Sequence, residues 1–168
     1  MFLNWPRNKA ALSYPVPPAP ATAVLVPWFR TSGRVRVYGT GWDPRVAGFK
    51  PAAIAATWSQ LEALLNERIP SLSHALIVLA QSPSELLSEA RRDRLWRSFR
   101  VPIFEQIVST NGELLAAECE AHHGCHIESP ALTYDLSHIT TEPCGCGRTT
   151  PRINAPERRL RSIAAYAR

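Results

Sequence analysis

Lysine is almost missing from this chain. Of its 19 basic side chains, only Lys9 and Lys50 are lysines and the other 17 are arginines. Long apolar runs are missing too, since none approaches the roughly 18 residues that a membrane-spanning helix needs. The start of the chain, residues 1–7, lacks the charged beginning and apolar stretch of a secretion signal. These absences exclude a membrane-spanning protein, and we expect a cytoplasmic location, in which disulfides are disfavoured.

Cysteine is absent outside one short run. All four cysteines lie within the 28 positions from Cys119 to Cys146, together with four of the five histidines. Thiolate and imidazole are the ligands that tetrahedral zinc prefers, and four of them fill a structural site. The rest of the chain has no comparable density of reactive side chains. The run therefore predicts a metal site more clearly than it predicts a function.

The excess positive charge lies at the C-terminal end. Residues 148–168 contain six arginines and one acid, Glu157, and the other 147 residues balance at 13 basic against 13 acidic side chains. We predict a basic helix over residues 154–168, most simply a solvated one. It could also bind anionic lipid, nucleic acid or an acidic protein. Readers of nucleic acid usually place aromatic side chains among basic ones, and this segment offers only Tyr166, so nucleic acid is disfavoured.

Prolines set apart the N-terminal segment. Residues 1–27 contain six of the fifteen prolines, and the run from Pro15 to Pro20 is typical of an extended polyproline-type arm. We expect the arm either to lie along its own domain or to dock on a partner protein, anchored by Trp5, Tyr14 and Trp28. This gives three parts: the arm at 1–27, an α/β domain at 28–153 and the basic helix at 154–168.

Periodicity within residues 28–153 predicts alternating helices and strands. Residues 34–38 alternate polar and apolar side chains, as a strand does. The helical spacing of Ile54, Trp58, Leu61 and Leu65 predicts a helix that begins at Pro51. The nearly all-apolar residues 74–80 are typical of a strand covered on both faces.

The second half of this domain continues the alternation. Residues 82–85 form a capping-box pattern that predicts a helix to about Phe99. Residues 101–108 then form a strand, and Asn111-Gly112 predicts a tight hairpin turn into residues 113–118. The fold class is therefore α/β, a small three-layer-like arrangement of a sheet with helices, an antiparallel hairpin edge and a zinc-clamped loop region.

Four sequence segments resemble one family. They are ALIVLAQSPSE at 75–85, VPIFE at 101–105, ECEAHHGCHI at 118–127 and PCGCGRTTPRI at 143–153. Together they resemble the middle of the phenylacetate–coenzyme A ligase branch of the adenylate-forming enzymes. The resemblance covers about residues 51–153, and the two cysteine segments are its specific part.

The resemblance implies a set of metal ligands. Cys119, His126, Cys144 and Cys146 match the family's segments and would form a Cys3His zinc site. Cys125 stands where the family has leucine, although Cys125 in place of Cys119 stays open as an alternative. A site closed by four protein ligands is structural, because it leaves no position for an activated water.

The chain departs from the family at its catalytic motifs. The family's phosphate-binding loop ends in Thr-Thr-Gly-Lys, whereas residues 30–34 contain only Thr-Ser-Gly. Its Tyr-Gly-x-Thr-Glu motif is replaced by residues 107–111, which lack the Tyr-Gly pair and the glutamate. The family's lid domain with its catalytic lysine has no counterpart before Arg168. The resemblance therefore implies a truncated, degenerate relative, and we expect no adenylation by the family mechanism.

Other candidate sites are weak. Asp135, Ser137 and His138 are neighbours in sequence, which is no evidence of a triad, and we expect them to be surface polar residues. Asp43 is a candidate turn or helix-cap residue. Five arginines between 91 and 100 predict a solvated helix face, paired with Glu85, Glu89 and Asp93.

Three functions fit these observations. The favoured one is a catalytically silent, zinc-stabilised relative of acyl-CoA ligases that acts as a binding or interaction module, or as a subunit of a larger assembly, through its arm or its basic tail. An alternative is an acyl-, aryl- or CoA-binding enzyme component that needs a partner to supply the missing lid; any activity would be acid–CoA ligation. A weaker alternative is a nucleic-acid-binding zinc domain.

Overall fold

The computed structural model describes residues 9–155 and contains one nine-stranded mixed sheet, which confirms the α/β class. Its strands are β1 Thr22–Val24, β2 Val35–Val37, β3 Ala53–Ala56, β4 Ala75–Ala80, β5 Ile103–Val108, β6 Leu114–Glu118, β7 Cys125–Ile127, β8 Ile139–Thr140 and β9 Arg152–Ile153. The helices are α1 Pro44–Phe49, α2 Trp58–Ala63 and α3 Glu89–Phe99, with 3-10 turns at Pro83–Glu85 and Leu136–His138. No helix of the described part is long and apolar enough to cross a bilayer.

The first half of the sheet is parallel. Strands β2, β1, β3, β4 and β5 lie side by side in that order, and β4 is buried at every residue. Helices α2 and α3 connect β3 to β4 and β4 to β5. Right-handed crossovers that step in one direction place both helices on one face. On that face Ile54 and Leu76 of the strands pack with Leu61 of α2 and Leu95 of α3.

The N-terminal segment covers the opposite face. Leu12 packs on Val24, Ile77 and Leu79 of the sheet, with Tyr14 and Trp28 beside them, among others. The Gln106 side-chain amide also donates to the Ser13 carbonyl at 2.7 Å. Of the two placements expected for the arm, residues 9–20 take the one along their own domain. The three layers are therefore helices, sheet and arm. Trp5, the third expected anchor, lies outside the described residues.

The second half of the sheet is antiparallel. The predicted hairpin joins β5 to β6, with Gly112 at φ 81°, and the Gly112 N–H donates to the Ser109 carbonyl at 3.0 Å. Beyond β6 the order continues β7, β9, β8, all antiparallel. The strands are short here, so this half has less sheet core than the parallel half and depends more on its loops.

The helix predicted to begin at Pro51 is wrong in its first half. Ile54 lies in strand β3, and the helix begins only at Trp58, after Thr57. The Thr57 side chain accepts from the Gln60 N–H, while the Gln60 side chain accepts from the Thr57 N–H, so a capping box stands at this point. The strand is buried on both faces and therefore shows no alternation that would distinguish it from a helix.

The capping box predicted at Ser82 is also wrong. Ser82 makes no side-chain cap, and Glu85 instead accepts from the Gln81 N–H at 2.9 Å. Helix α3 begins later, after Ser88, whose hydroxyl accepts from the Arg91 N–H at 3.3 Å. Asp43 does cap α1, as expected. The predicted basic helix falls mostly outside the described residues, since only residues 154 and 155 of it are described.

Candidate metal centre

Four predicted ligands meet at the end of the antiparallel half. Cys119 follows β6, His126 lies in β7, and Cys144 and Cys146 lie in the loop before β9. Their Sγ and ring nitrogen atoms all lie within 4.8 Å of one another. The hairpin and the strands after it thus bring Cys119 and His126 next to Cys144 and Cys146, although 17 residues separate His126 from Cys144 in sequence.

The distances fit a tetrahedral ion. With Zn–S bonds of about 2.3 Å and Zn–N bonds of about 2.0 Å, tetrahedral angles place two sulfurs about 3.8 Å apart and sulfur and nitrogen about 3.5 Å apart. The Cys119 and Cys144 sulfurs are 3.6 Å apart, and the Cys146 sulfur is 3.4 Å from Nε2 of His126. The four residues could hold a metal ion with little rearrangement.

His126 is fixed in the orientation that a ligand needs. It is fully buried, and its Nδ1 lies 2.8 Å from the Thr150 hydroxyl oxygen, so Nε2 faces Cys146. A ligand histidine usually has its other ring nitrogen held by a hydrogen bond, which sets its tautomer. Burial, followed by the positive charge of Arg148, lowers the pKa of His126 from its ordinary 6.5. The ring is therefore neutral at pH 7, as a metal ligand must be.

The thiols of the cluster differ in acidity. Burial raises the pKa of Cys119 to about 12. Burial would also raise the pKa of Cys144, but hydrogen bonds from the Cys146 backbone and from the other two thiols lower it overall. The cluster can therefore carry a thiolate at Cys144 more easily than at Cys119. Without a cation, three thiolates at this spacing would repel one another.

Cys125 lies apart from the cluster of ligands. It is buried in the core beside Ile107 and Leu115, and its Sγ lies 3.7 Å from the Glu105 carbonyl oxygen. The arrangement therefore favours Cys119 over Cys125 as the ligand. His122, which also lies within the run, is exposed, and its ring is tilted against that of Phe104 with 4.9 Å between the ring centroids.

Sequence analysis missed a buried ion network next to the cluster. Arg92 of α3 contacts Glu105 at 2.6 Å and Glu118 at 2.7 Å, and both carboxylates are almost fully buried. Burial would lower the pKa of Arg92, but the two carboxylates raise it overall. Arg92 was expected on a solvated face. The sequence did contain a signal for this network, because Glu105 and Glu118 stand within apolar strand segments, and a buried carboxylate needs a partner.

The remaining arginines of α3 lie on its outer side. Arg94 pairs with Glu62 at 2.9 Å, and the guanidinium groups of Arg91 and Arg94 lie 5.0 and 5.5 Å from the ring centre of Trp58. Neither contact matches the predicted pairing with Glu85, Glu89 and Asp93. The expectation of an exposed face holds for Arg91 and Arg94, and their partners come from α2.

A cavity of about 320 Å³ opens beyond the carboxyl end of β4. It is lined by Pro83, Ser84, Thr133, Tyr134, Asp135, His138 and Asn154. Nδ1 of His138 is buried and has no hydrogen-bond partner among the described residues. Asp135 uses one carboxylate oxygen to accept from the Ser137 N–H at 2.9 Å, as in a turn. Asp135 and His138 thus line a pocket, whereas Ser137 is exposed and does not.

The positions of the family's catalytic motifs have other roles here. The Ser32 N–H donates to the Val35 carbonyl at 3.0 Å, so the Thr-Ser-Gly segment forms a turn into β2. Ile107 and Val108 are fully buried in β5. Ser109 and Asn111 bond to each other in the hairpin.

Comparisons with known proteins show the fold. No model of a known protein family matches the sequence, and no curated protein matches it. An open conformation of 2-hydroxyisobutyryl-CoA ligase in complex with 2-HIB-AMP and CoA is similar in structure, with TM-score 0.57 and 16% identity, over 82% of this chain and 44% of that one. The same ligase in the postadenylation state with 2-HIB-AMP has TM-score 0.53 and 15% identity, over 80% of this chain and 42% of that one. The chain spans less than half the length of these structures, and its fold is similar to that of part of this ligase.

Proposed function

We propose that this chain is a zinc-stabilised, catalytically silent relative of the phenylacetate–coenzyme A ligase branch, acting as a binding or interaction module. The observation that carries the proposal is the Cys3His cluster, whose distances fit a metal ion within a ligase-like fold. Around it, the positions of the catalytic motifs are used for a turn, a core strand and a hairpin. The cytoplasmic location and a protein partner for the basic tail belong to this proposal and rest on the sequence.

Zinc is the metal that this donor set favours. Three thiolates and one imidazole suit Zn²⁺, which binds sulfur and nitrogen donors in tetrahedral sites. With four protein ligands and three of them buried, the site has no room for a reacting water. The ion would hold together β6, β7 and the loop before β9, where the sheet has only short strands.

Metal analysis of the purified protein tests the site. We expect about one zinc per chain, lost together with thermal stability in Cys144→Ser. Cys119→Ser should also lose the metal, whereas the matched variant Cys125→Ser should keep it, because Cys125 lies in the core. A wild-type protein that is stable and free of metal would refute the site. Metal loss in Cys125→Ser but not in Cys119→Ser would reassign the ligand.

Pyrophosphate exchange tests catalytic silence. The positions of the family's phosphate-binding loop and ATP motif form a turn, a core strand and a hairpin. We therefore expect no ATP-dependent exchange with a panel of aliphatic and aryl carboxylic acids. ATP should also leave the melting temperature unchanged. Exchange above background that is lost in a His138→Ala variant would overturn the silent assignment.

A second candidate function rests on the cavity beyond β4. Ligands of open α/β sheets bind outside the carboxyl ends of the strands, and this cavity is large enough for a small molecule. His138 lines it, and the buried Nδ1 of His138 has no hydrogen-bond partner among the described residues. One of the similar ligase structures holds 2-HIB-AMP and CoA, and another holds 2-HIB-AMP. In this alternative the chain binds an acyl, aryl or CoA group, and a partner supplies the lid.

Thermal shift separates the two candidates. If the cavity binds such ligands, CoA, AMP or an acyl-adenylate analogue should raise the melting temperature, and Tyr134→Ala should reduce the shift. Val16→Ala, at an exposed site elsewhere, is the control. An unchanged melting temperature across the panel would remove this alternative and leave the interaction module.

A further inference from the structure

One arginine connects the two loops that carry the metal ligands. Arg152 of β9 is 5% exposed. Its Nη1 donates to the His123 carbonyl at 2.7 Å, and its Nη2 donates to the Glu142 carbonyl at 2.9 Å. His123 lies in the loop between Cys119 and His126, and Glu142 lies two residues before Cys144. A single guanidinium therefore bonds to both halves of the site.

The backbone of Arg152 is fixed beside the same site. It pairs with His126 across β7 and with Thr140 across β8. The Ile127 N–H also donates to the Pro151 carbonyl at 3.0 Å. Because both neighbouring strands hold the backbone, the guanidinium can fix the positions of the loops rather than follow their motion.

The arginine side chain has the geometry that this connection needs. A guanidinium presents several N–H donors in a rigid plane, whereas a lysine ammonium is a single point on a flexible stem. Burying a charge is costly unless it is paired or hydrogen-bonded. Three thiolates around Zn²⁺ would carry one net negative charge, and the positive charge of Arg152, which also lowers the pKa of Cys144, would offset it. Nε of Arg152 is buried and has no acceptor among the described residues.

We propose that Arg152 is a positioning residue that assembles the metal site before the ion binds. Its two carbonyl contacts hold the Cys119–His126 loop against the Cys144–Cys146 loop in metal-free protein. The ion then enters a preformed site and need not order both loops. The expected effect on metal affinity rests on the proposed zinc site. The expected effect on the two loops in metal-free protein does not.

Cobalt titration measures the effect on metal binding. Co²⁺ in a tetrahedral thiolate site gives characteristic visible absorption bands, so both affinity and geometry can be followed. We expect Arg152→Met to weaken binding by about 10- to 100-fold, the usual cost of losing a supporting contact, and to alter the band pattern. Arg152→Lys keeps the charge without the planar fork and should recover only part of the affinity. Arg148→Met removes a nearby charge paired with Glu128 at 2.6 Å and should change the affinity less than about threefold.

Disulfide formation measures the metal-free site. Diamide accepts two electrons and two protons from a pair of thiols, which form an S–S bond while diamide becomes the hydrazine. In metal-free wild-type protein the Cys119 and Cys144 sulfurs, 3.6 Å apart, should be linked rapidly, as peptide mass mapping would show. Arg152→Met should slow this linkage at least tenfold, and Arg148→Met should not. A general loss of stability would not give this pattern, because Gly33→Ala, a destabilised variant at a distant turn, should link at the wild-type rate.

The outcomes are distinct. Wild-type protein that binds no metal but shows the Arg152-dependent linkage would refute the zinc site and keep the positioning role. Arg152→Met with wild-type cobalt affinity, wild-type spectrum and wild-type linkage rate would overturn the positioning role. If Arg152→Met does not fold, Arg152→Lys gives the same comparisons, and wild-type values in that variant for both readouts would overturn the role of the planar fork.

Discussion

At the scale of single residues, the largely buried charged side chains Arg92, Glu105 and Glu118 bond to several partners each. Arg92 donates to Glu105, to both oxygens of Glu118 and to the Ile103 carbonyl at 2.9 Å. Glu118 also accepts from the Glu105 N–H at 3.0 Å. One guanidinium thus compensates two buried carboxylates and joins α3 to the strands that lead to Cys119. Such a network is costly to break at one member.

Replacing Arg92 should therefore destabilise the protein strongly. Arg92→Met leaves two buried carboxylates without their cation, and we expect a loss of about 3–5 kcal/mol in the free energy of unfolding. Arg94→Met, about half a helical turn away, removes an exposed pair with Glu62 and should cost about 0–1 kcal/mol. Urea unfolding of both variants at equal metal content measures the difference. Equal midpoints would show that the network contributes no more than a surface pair.

The acidity of the ligands gives a pH dependence. Because burial raises the pKa of Cys119 to about 12, this thiol carries a proton at pH 7 that a metal must displace. Apparent zinc affinity should therefore rise with pH between about 6 and 8, roughly tenfold per unit for each proton released. Competition with a chromophoric chelator at several pH values measures it, and an affinity independent of pH would contradict it.

The histidine adds an effect of its own on metal-free protein. The pKa of His126 is lowered from 6.5, so below that value the unfolded chain binds a proton that the folded chain refuses. Stability is then present above pH 6.5 and is lost as the pH falls toward the folded pKa. Urea midpoints of metal-free protein should decline below pH 6.5, and His126→Gln should remove that part of the decline. A variant with the same pH profile as wild type would assign the decline to other groups.

At the scale of elements, the antiparallel half is held by close approach of backbones. Gly124 lies in the turn before β7 with φ 93°, and a side chain there would meet the Ile153 carbonyl at 2.7 Å and the amide oxygen of Asn154. Only glycine fits such a backbone angle and such a contact without strain. The loop between Cys119 and His126 thus passes directly over β9, which keeps the ligand loops near each other.

Gly124→Ala should therefore lower the free energy of unfolding by more than the strain of a positive φ alone would. Gly33, at φ 55° with nothing within 4 Å of an added Cβ, is the matched control, and its alanine variant should lose about 1 kcal/mol. Gly124→Ala adds a backbone collision and should lose at least about 2 kcal/mol more, together with weaker metal retention. Thermal and urea unfolding would compare the two. Equal losses would show that the loop can move away from β9.

The sequence predicted the elements that have a local chemical signature. Asn111-Gly112 predicted the hairpin because a tight turn needs positive φ. The resemblance of the two cysteine segments to a ligase family indicated the four clustered residues, whereas the density of cysteine and histidine alone indicated only a metal site. Strand β3 was mistaken for helix because it is buried on both faces and rich in alanine, so Ile54 matched a helical repeat with Trp58 and Leu61. Strand β1 was not predicted, because its three residues follow directly on the proline run. Whether a strand is buried on both faces is decided by tertiary contacts, and a local sequence pattern does not contain these contacts.

The partners of the long side chains could not be predicted from the sequence either. Arg92 reaches residues 13 and 26 positions away, and Arg152 reaches back 29 positions to His123. Nothing in the helical spacing of the α3 arginines separates the buried one from its exposed neighbours. The contacts depend on how the hairpin is placed against α3, and that follows only from the sheet order.

At the scale of the whole molecule, the unusual feature is the third layer. Helices cover one face of the parallel strands. Parallel sheets usually have helices on both faces, whereas here residues 9–20 cover part of the other face without regular secondary structure. The Ala10 N–H donates to the Asn111 carbonyl at 2.9 Å, and the Arg30 N–H donates to the Ala10 carbonyl at 3.0 Å. The arm thus connects to the hairpin as well as to the sheet, and through the hairpin to the strands that carry the ligands.

Loss of the arm's apolar anchor should therefore destabilise the whole domain. Leu12 is 7% exposed and packs on the core of that face, whereas Val16, in the same arm, is 50% exposed. Leu12→Ala leaves a cavity over β1 and β4 and should cost about 2–3 kcal/mol, while Val16→Ala should change the free energy of unfolding by less than about 0.5 kcal/mol. A single cooperative urea transition with a lower midpoint for Leu12→Ala is expected, because an arm that belongs to the fold cannot be lost separately. If Leu12→Ala instead unfolded at the wild-type midpoint, the arm would be a detachable segment and the sheet face beneath it would be open to a partner.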